Sequence, residues 1–354
     1  MTVSVSALDS SDISAECAVL ISQQTGEVIF KKNAYKPHSM ASTTKIMTSL
    51  LAAQSGKLHD EITVSKEMIL VEGTSMGLLP GDSVSLYELI YGMLLPSGND
   101  AANVTAYYLG GNVENFVKKM NAKAKEIGME NTNFVTPSGL DDEMHYSTAY
   151  DMALLGRYAV GDPVFRSVCS SKKASLSYGN PPYKRTLYNH NRLLESYKYA
   201  LGIKTGFTKK SGRCLVSYAE KDGTGLIAVT LNAPNDWNDH KLMLDYGFSK
   251  LKRYVFNPVI PEYMNVVGGN VENLKISCEQ FEYDSLEHRN VIQKLVIDKF
   301  APIKKGDKLG EVMLYLDGSY IGSTDICAAE DVGLLIQKQE KKSFFQRIKE
   351  RFLK

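Results

Sequence analysis

Apolar residues recur along the chain at two spacings, one typical of helices and one typical of strands. After Ser42 the spacing is helical, and it predicts a helix that begins near Met40 and stops before Gly56. A helix with an apolar stripe buries one face, so we expect this one to lie in a core. The apolar positions of the stripe are Ile46, Met47, Leu50 and Leu51.

Further helices are predicted where the helical spacing returns. Ser85 and Glu88 form a capping box ahead of an apolar run. This run must end near Leu95, because Pro96 disfavours helical backbone in the residue before it. Three more helices are predicted to begin near Asp100, to span residues 113–127, and to follow a cap at Ser147 or Thr148.

Strand-like alternation appears in three regions. Residues 16–31 predict a hairpin. Residues 212–219 and 225–231 predict two strands around a turn at 221–223. From about Phe256 onward, short strand-like segments replace the helices and indicate a small all-β domain.

Length and composition are those of an ordinary globular protein with about two domains. Of the 354 residues, 44% are hydrophobic and 23% are charged. The net charge of +1 argues against a nucleic-acid partner, because such proteins normally carry a strong basic excess. No apolar run approaches the roughly 20 residues that span a bilayer.

The cysteines and histidines give no sign of a metal site. The five cysteines are scattered and odd in number, so they predict neither a zinc site nor a disulfide framework. We expect them to be buried as small apolar side chains. The six histidines are dispersed, which favours structural roles. The cysteines are Cys17, Cys169, Cys214, Cys278 and Cys327.

The two ends of the chain carry different signals. Residues 1–13 are polar, but Val5-Ser6-Ala7 fits the end of a cleavage site, so this segment either follows a removed signal peptide or is a frayed terminus. Residues 338–354 have seven Lys or Arg against two Glu, a net charge of +5 that leaves −4 on the rest. Their apolar residues share one helical face, which predicts a basic amphipathic helix on a membrane surface. The alternatives are a helix packed on the body and a disordered tail.

Ser42 and Lys45 form the first candidate for chemistry. Residues three apart lie on one face of a helix, so the Lys45 amine can reach the Ser42 hydroxyl. A serine hydroxyl becomes a good nucleophile only when a base takes its proton. Lysine can be that base when burial or a second cation lowers its pKa well below the free value of roughly 10.4. The Ser-x-x-Lys pattern is common by chance, so it needs other motifs beside it.

Two tripeptides supply that support. Ser97-Gly98-Asn99 lies between two buried helices, where a turn holds short polar side chains in place. Lys204-Thr205-Gly206 lies on a strand edge and offers an ammonium and a hydroxyl to a substrate carboxylate. Its glycine leaves room for a ligand backbone. Each tripeptide is weak alone, because an Asx-type turn or an ordinary strand-end turn would also explain it.

The three motifs together resemble a known family. STTK at 42–45, SGN at 97–99 and KTG at 204–206 resemble the penicillin-recognising serine acyl-transferases, with glycine where the second motif can have aspartate. The stretches around the motifs and the segment APIKKGDKLGEVMLYLDG are similar to the low-molecular-weight D-alanyl-D-alanine carboxypeptidases. The resemblance covers nearly the whole chain from Ser14.

The resemblance implies an α+β fold of the penicillin-recognising transpeptidase and β-lactamase type. The catalytic domain, residues 14–255, would pair a mostly antiparallel five-stranded sheet with a helical cluster, and the active site would lie where they meet. Residues 258–261 would link it to a small β-sandwich domain at 262–337. The amphipathic helix at 338–354 would then hold the enzyme at the extracytoplasmic face of the bacterial membrane.

The resemblance also implies the reaction, which is serine D-alanyl-D-alanine carboxypeptidase activity on the peptidoglycan pentapeptide stem. Ser42 would attack the terminal D-alanyl-D-alanine bond with Lys45 as base, and water would hydrolyse the acyl-enzyme. Lys204 would be the second cation that lowers the Lys45 pKa. Ser97 would relay a proton to the leaving D-alanine, and Asn99 would position Lys45 and the substrate amide. β-Lactam antibiotics would acylate the same serine, and the resulting acyl-enzyme would be hydrolysed slowly. The chemistry needs no metal or organic cofactor.

The third motif is expected to bind the substrate. Lys204 and Thr205 would hold the terminal carboxylate, and Gly206 would leave room for the ligand backbone. The backbone amides of Ser42 and Phe207 would form the oxyanion hole. Some relatives have histidine where this chain has Phe207, so we expect activity to survive and substrate preference to differ.

Three other segments are expected near the cleft or in solvent. His190 and Arg192 are candidate contacts for a carboxylate or for the rim, and the alternative is an ordinary surface loop. Residues 73–81 are rich in glycine and predict a loop at the cleft rim. The acidic run Asp141–Glu143 is expected to be solvated.

Two rival functions are compatible with part of this pattern. A β-lactamase or serine esterase of the same fold is the first, but a β-lactamase must deacylate quickly and no extra carboxylate base is evident. A catalytically silent wall-binding protein is the second. The intact set of Ser42, Lys45, Ser97 and Lys204 argues against it, because binding alone has no chemical need for all four.

Overall fold

Five antiparallel strands and a cluster of helices make up the larger part of the structure, a computed structural model that describes residues 8–297 and 300–335. The chain divides into two units, each with its own core. The first runs to Arg253 and also includes Asp284–His288, and the second holds Tyr254–Tyr283 and resumes at Arg289. The predicted anchor helix at 338–354 lies outside the described residues.

The central sheet of the first unit is antiparallel throughout. The strands of this unit are β1 (Cys17–Ser22), β2 (Val28–Lys32), β3 (Glu61–Thr63), β4 (Ser83–Ser85), β5 (Lys173–Gly179), β6 (Pro182–Tyr188), β7 (Ala200–Thr208), β8 (Gly212–Lys221) and β9 (Thr224–Leu231). The sheet has the order β2-β1-β9-β8-β7, so β7 lies at an edge. Strand β1 is buried on both faces, with Val19 and Ile21 in one core and Ala18 and Leu20 in the other.

Eight α-helices lie in the described part of this unit, and cores that include helix residues lie on both faces of the sheet. The helices are α1 (Lys45–Ala53), α2 (Leu86–Leu94), α3 (Asn99–Gly110), α4 (Val113–Ile127), α5 (Ala149–Ala159), α6 (Pro163–Cys169), α7 (Leu193–Ser196) and α8 (Asp236–Lys250). The capping box of Ser85 and Glu88 begins α2, and Thr148 caps α5, as the sequence predicts. Helix α4 has the predicted bounds.

The helix predicted to begin near Met40 begins differently. Residues Ala41–Thr44 form a 3₁₀ helix, and the α-helix starts only at Lys45. The cause is a tight turn in which both the amide and the hydroxyl of Thr43 donate to the Met40 carbonyl, at 3.2 and 2.6 Å. Helix α3 also starts one residue earlier than predicted, at Asn99.

The second unit is all-β in its described part. Strands β10 (Lys252–Phe256) and β13 (Phe281–Ser285) each contain a boundary between the units, and the others are β11 (Tyr263–Asn265), β12 (Asn273–Cys278), β14 (Val291–Ile297), β15 (Lys308–Leu316) and β16 (Ser319–Ala328). The sheet order is β11-β12-β16-β15-β14. Its core includes Leu274, Val312, Leu314 and Ile326.

One short segment of the predicted β domain groups with the catalytic unit instead. Ser285 Oγ and the Leu286 amide both donate to Glu27 Oε2, at 2.9 and 3.0 Å. The Asp284 amide donates to Gln24 Oε1 at 3.1 Å. These contacts are more than 250 residues apart in sequence, so local pattern cannot predict them.

The cysteines follow the expectation in part. Cys17, Cys169 and Cys214 are free and buried in the first unit, as expected. Cys278 and Cys327 are free but only partly buried, on strands of the second unit. In the described residues no helix has the length and apolar character needed to cross a membrane.

Candidate active site

Ser42 lies in the 3₁₀ helix between the sheet and α1. Its neighbour Ala41 has a φ of 47°, in the left-handed region that a residue with a side chain seldom occupies. The Thr44 hydroxyl donates to the Ala41 carbonyl at 2.8 Å and holds this turn in place. The turn therefore fixes the position of Ser42 relative to the first residues of α1.

Lys45, the first residue of α1, reaches back to the Ser42 hydroxyl. Its Nζ donates to Ser42 Oγ at 2.9 Å, to Asn99 Oδ1 at 2.6 Å and to the Ser138 carbonyl at 2.7 Å. The side chain is fully buried. All three acceptors are uncharged, so the protonated amine gains little compensation for its lost hydration.

The electrostatics of the site make Lys45 a stronger candidate base than an ordinary lysine. Burial, and then the positive charge of Lys204, lower the pKa of Lys45 well below 10.5, whereas Asp100 has a smaller opposing effect. Lys204 is itself 1% exposed, and burial lowers its pKa to about 7. Its Nζ donates to the Thr205 carbonyl at 2.9 Å.

Ser97 and Asn99 form the second wall. Ser97 is nearly buried, with a φ of 67°, and its carbonyl accepts a hydrogen bond from Thr74 Oγ1 at 2.5 Å. Asn99 accepts from Lys45 through Oδ1 and donates from Nδ2 to the Glu72 carbonyl at 2.6 Å. The expected contact of Asn99 with the lysine is present. One N–H of its amide is engaged by the loop, and the other is the one that a substrate carbonyl could use.

The KTG motif lies on β7, the edge strand of the sheet. A Cβ added to Gly206 would lie 3.0 Å from the Ser42 nitrogen and 3.1 Å from the Ala41 Cβ. A side chain at this position would press on the turn of Ser42, so glycine favours the close approach of β7 to the nucleophile. Beside it, the Phe207 side chain is 66% exposed and lines the cleft.

The structure brings all eight predicted site residues together. Lys45 and Lys204 are buried behind a cleft of about 490 Å³, and the other six line it: Ser42, Ser97, Asn99, Thr205, Gly206 and Phe207. His190 and Arg192 also line the cleft and are exposed, so their loop forms part of its wall. Gly73 and Thr74 line it as well, which agrees with the rim loop predicted at 73–81.

A loop that sequence reasoning did not single out closes over the nucleophile turn. Ser138 lines the cleft and supplies the carbonyl that binds Lys45, and its buried hydroxyl has no hydrogen-bond partner among the described residues. Gly139, with a φ of +89°, crosses so near that an added Cβ would lie 1.9 Å from the Ala41 carbonyl oxygen. The sequence shows this loop only as a turn-rich segment.

His145 supports the same turn from behind. Its Nδ1 accepts from the Val135 amide at 2.9 Å, so the proton of the neutral ring is on Nε2. Nε2 lies 2.8 Å from Thr44 Oγ1, which in turn donates to the Ala41 carbonyl. Burial lowers the pKa of His145 to about 4, so the ring is neutral at physiological pH. Its role is structural, as expected for a dispersed histidine, but it acts on the turn that carries Ser42.

Asp100, next to Asn99, holds the rim loop. Its Oδ1 accepts from the Met76 amide at 2.9 Å. Its Oδ2 accepts from Ser75 Oγ at 2.5 Å and from the amides of Gly77 and Leu78, both at 3.1 Å. The position of Asp100 directly after the SGN motif is the sequence signal that could have identified it.

The cleft is also lined by residues that the sequence analysis missed. Arg213, Asp236 and Trp237 line it, although they come from β8 and α8. Asp141 is exposed, as expected, but its Oδ1 also accepts from Thr208 Oγ1 at 2.8 Å and so contacts the end of β7.

Comparison with known proteins identifies the family. The family model described as D-alanyl-D-alanine carboxypeptidase matches residues 2–235, and that of the C-terminal domain of penicillin-binding protein 5 matches residues 261–334. The chain belongs to the D-alanyl-D-alanine carboxypeptidase family. It is a serine-type hydrolase of the penicillin-binding class, and the α+β fold and the family expected from the three motifs are confirmed.

Individual relatives agree with this assignment. D-alanyl-D-alanine carboxypeptidase DacF of Bacillus subtilis is 35% identical over 90% of this chain and 86% of its own length. DacC of Escherichia coli is 31% identical over 96% and 88%. The crystal structure of penicillin-binding protein 5 from Haemophilus influenzae superposes with a TM-score of 0.67, at 28% identity, over 92% of this chain and 100% of that one. A Streptomyces DD-transpeptidase variant superposes with a TM-score of 0.64, at 31% identity, over 67% and 98%.

Proposed function

We propose that the enzyme removes the terminal D-alanine from peptidoglycan pentapeptide stems through an acyl-enzyme on Ser42. The contact that carries this proposal is the 2.9 Å hydrogen bond between Lys45 Nζ and Ser42 Oγ in a buried site with uncharged acceptors. A neutral amine in that position can take the hydroxyl proton as the oxygen attacks the substrate carbonyl.

The remaining roles follow from the position of each group around that pair. The developing oxyanion would be bound by the backbone amides of Ser42 and Phe207, the latter beside the Gly206 contact described above. Ser97 would pass the proton to the leaving D-alanine, and Lys204 with Thr205 would hold the terminal carboxylate. An extended substrate can add to the open edge of β7 as a further strand.

The composition of the cleft favours a carboxypeptidase over a β-lactamase. Within the described chain, Asp236 is the one carboxylate among the cleft-lining residues, and it is bound to Arg213 at 2.7 Å. A carboxylate in an ion pair is a poor base for the water that must release a penicilloyl group. We therefore expect benzylpenicillin to acylate Ser42 and the penicilloyl group to be hydrolysed slowly.

Intact-protein mass spectrometry after brief exposure to benzylpenicillin tests this mechanism. A one-to-one adduct that maps to Ser42, decays over hours and is absent from Ser42→Ala supports it. Release of D-alanine from a pentapeptide by the parent and not by Ser42→Ala then establishes the reaction. Rapid consumption of the drug without an adduct would indicate a β-lactamase, and equal behaviour of parent and variant would indicate a silent wall-binding protein.

We also propose that the enzyme works at the extracytoplasmic face of the bacterial membrane, held there by residues 338–354. The support is the net charge of +5 and the apolar helical face of this segment. Co-sedimentation with vesicles that contain anionic lipid tests it. Loss of binding on removal of 338–354 supports the anchor, and unchanged binding contradicts it.

A further inference from the structure

Four large apolar side chains are exposed at one end of the second unit. Val267, Phe300, Leu334 and Leu335 are between 56% and 65% exposed. Backbone pairing brings their segments together, because Val267 pairs with Phe300 in a parallel bridge and the Leu335 amide donates to the Gly268 carbonyl at 2.9 Å. Single exposed apolar residues are ordinary, whereas a contiguous group of them favours contact with another molecule or with a membrane. We call these four residues the end patch.

The segments that carry the end patch are fixed by other residues that point into the core. Val266, Ile303 and Val332 belong to the same segments and are buried in the core of the second unit. Ile303 and Val332 also pair with each other in an antiparallel bridge. Because these inward residues hold the segments, a substitution at an exposed patch position should leave the core in place.

The chain runs from the end patch directly into the basic segment 338–354. Leu335 is the last residue of the described part, and three residue steps join it to residue 338. Three steps span at most about 11 Å. An amphipathic helix on a membrane surface buries its apolar face about 5–10 Å into the boundary between headgroups and acyl chains. If 338–354 lies there, as proposed above, Leu335 and the patch around it lie at the same surface.

The charged side chains beside the end patch include both signs. Lys304 and Lys305 are exposed in the turn that follows Phe300. Asp307 and Asp331 accept from the backbone amides of these two lysines, at 3.0 and 2.7 Å. The patch therefore does not by itself attract an anionic surface, and that attraction would come from the net charge of +5 on 338–354. The patch would add apolar contact, and two signals of this kind together give stable membrane binding.

We infer that the end patch enters the interfacial layer of an anionic membrane beside the segment 338–354, so that the second unit itself contacts lipid. The inference rests on the proposed membrane location and adds a second contact surface to it. The partner is the boundary between lipid headgroups and acyl chains, which takes up the Phe and Leu side chains of interfacial proteins.

A tryptophan placed in the patch reports directly on contact with lipid. Phe300→Trp keeps an aromatic side chain at an exposed position, and Trp237 is the single tryptophan of the parent, so its signal can be subtracted. The vesicles contain phosphatidylglycerol and a phosphatidylcholine that is brominated on its acyl chains. We expect the added fluorescence of Phe300→Trp to be quenched by these vesicles, and its emission to move to shorter wavelength with vesicles that lack bromine.

Ile292→Trp is the matched control for the quenching. Ile292 is as exposed as Phe300, but it lies near the start of β14, five residues before the end of that strand. Five strand residues span about 17 Å, so this position is remote from the end patch. Its added fluorescence should not be quenched.

Removal of apolar area from the patch should weaken the binding of the full-length protein to the same vesicles. For Phe300→Ser we expect binding to be weaker by about tenfold or more, the effect of withdrawing one large apolar side chain from an apolar environment. Ile292→Ser should bind as the parent does. Circular dichroism and the melting temperature show that each variant is folded.

The outcomes separate the patch from the anchor. If the parent binds vesicles but Phe300→Trp is not quenched, or is quenched no more than Ile292→Trp, the inference is overturned and the anchor stands. If the parent does not bind, the membrane location fails and the inference with it. An emission of Phe300→Trp that is already at short wavelength without vesicles, and that reverts when 338–354 is removed or the protein is diluted, would mean that this segment or a second copy covers the patch. That result also overturns the inference.

Discussion

At the scale of single residues, the site depends on two buried lysines. Burial disfavours a proton on both, and the charge of Lys204 further disfavours a proton on Lys45. A base must be neutral to accept a proton, so acylation of Ser42 should fall on the acid side as Lys45 becomes protonated. Lys204 therefore sets part of the pH range in which Lys45 can act.

Lys204→Met should move the acid limb of acylation to higher pH. The substitution removes the second of the two causes that lower the Lys45 pKa, so Lys45 becomes protonated at a higher pH. The measurement is the rate of benzylpenicillin acylation from about pH 5 to about pH 11, a range that extends past the free lysine pKa of roughly 10.4. Lys210→Met, on an exposed residue, is the control. An acid limb that stays in place would mean that Lys204 does not act on Lys45.

His145 is expected to be a positioning residue for the nucleophile. His145→Ala breaks the chain from Val135 through Thr44 to Ala41, and we expect acylation to slow by about tenfold, the effect of losing one or two hydrogen bonds that orient the turn. His145→Gln can accept from Val135 and donate to Thr44, so its rate should recover towards that of the parent. The measurement is the acylation rate, with the melting temperature taken alongside. A glutamine variant that regains stability but not rate would contradict the positioning role.

The residues of the three motifs could be predicted from the sequence, because their chemical type and spacing define the reaction. His145, Ser138 and Asp100 could not be assigned in the same way. His145 meets Thr44 across 101 residues of chain, and Ser138 contributes a backbone carbonyl that any residue could supply. Such supporting contacts depend on where loops cross, which a single sequence does not show.

At the scale of elements, the predictions succeeded where one face of a helix or strand is apolar. Helices α2 and α4 have clear caps and apolar stripes. The sequence analysis did not predict helix α8. Its buried positions include the polar residues Asp236, Asp239 and His240, so its apolar residues do not recur at a clear helical spacing. The β5–β6 hairpin was missed because most of its residues are exposed, so it lacks a sustained apolar face.

Four donors of the rim loop bind one side chain, Asp100. Asp100→Asn removes the carboxylate that accepts from the loop amides and the Ser75 hydroxyl, and we expect it to lower the free energy of unfolding by about 2–4 kcal/mol, more than one hydrogen bond to a charged group. Acylation should slow too, because the loop carbonyl of Glu72 binds Asn99. Urea denaturation and the acylation rate check both effects.

Ser75→Ala is the matched control for the rim loop. It removes one of the donors to Asp100 and keeps the carboxylate, so its cost should be within about 1 kcal/mol. If Asp100→Asn costs no more than Ser75→Ala, the carboxylate does not organise the loop.

At the scale of the whole molecule, buried basic groups should make stability rise with pH. Lys204 has a folded pKa of about 7 and an ordinary value of 10.5, and Lys45 is shifted in the same direction. His145 and His240 have folded pKa values of about 4 and about 3, against 6.5. Between its ordinary pKa and its folded pKa, each group binds a proton in the unfolded chain but not in the folded chain. The free energy of unfolding therefore falls as pH falls through that range.

Urea denaturation at several pH values between about 4 and about 8.5 checks this expectation, with a slope of up to about 1.4 kcal/mol per pH unit for each group. Lys204→Met should flatten the part of the curve above pH 7, since it removes a lysine whose pKa is about 7 in the folded chain and 10.5 ordinarily. Higher pH is a poor test, because burial raises the pKa of the Cys169 and Cys214 thiols to about 12 and opposes the trend. A stability curve that is flat from pH 4 to 8.5 would contradict the lowered folded pKa values of the two lysines and two histidines.

The position of β7 at the sheet edge has a consequence for solubility. An open edge strand offers unpaired backbone groups to any other extended chain, and proteins commonly protect such edges against aggregation. Here the 3₁₀ turn of Ser42 packs on the face of β7 at Gly206 and the strand ends the sheet. The backbone groups that can pair with an extended substrate are therefore the same ones at which a second protein chain can join the sheet. We expect a peptide or an inhibitor in the cleft to protect this edge from self-association.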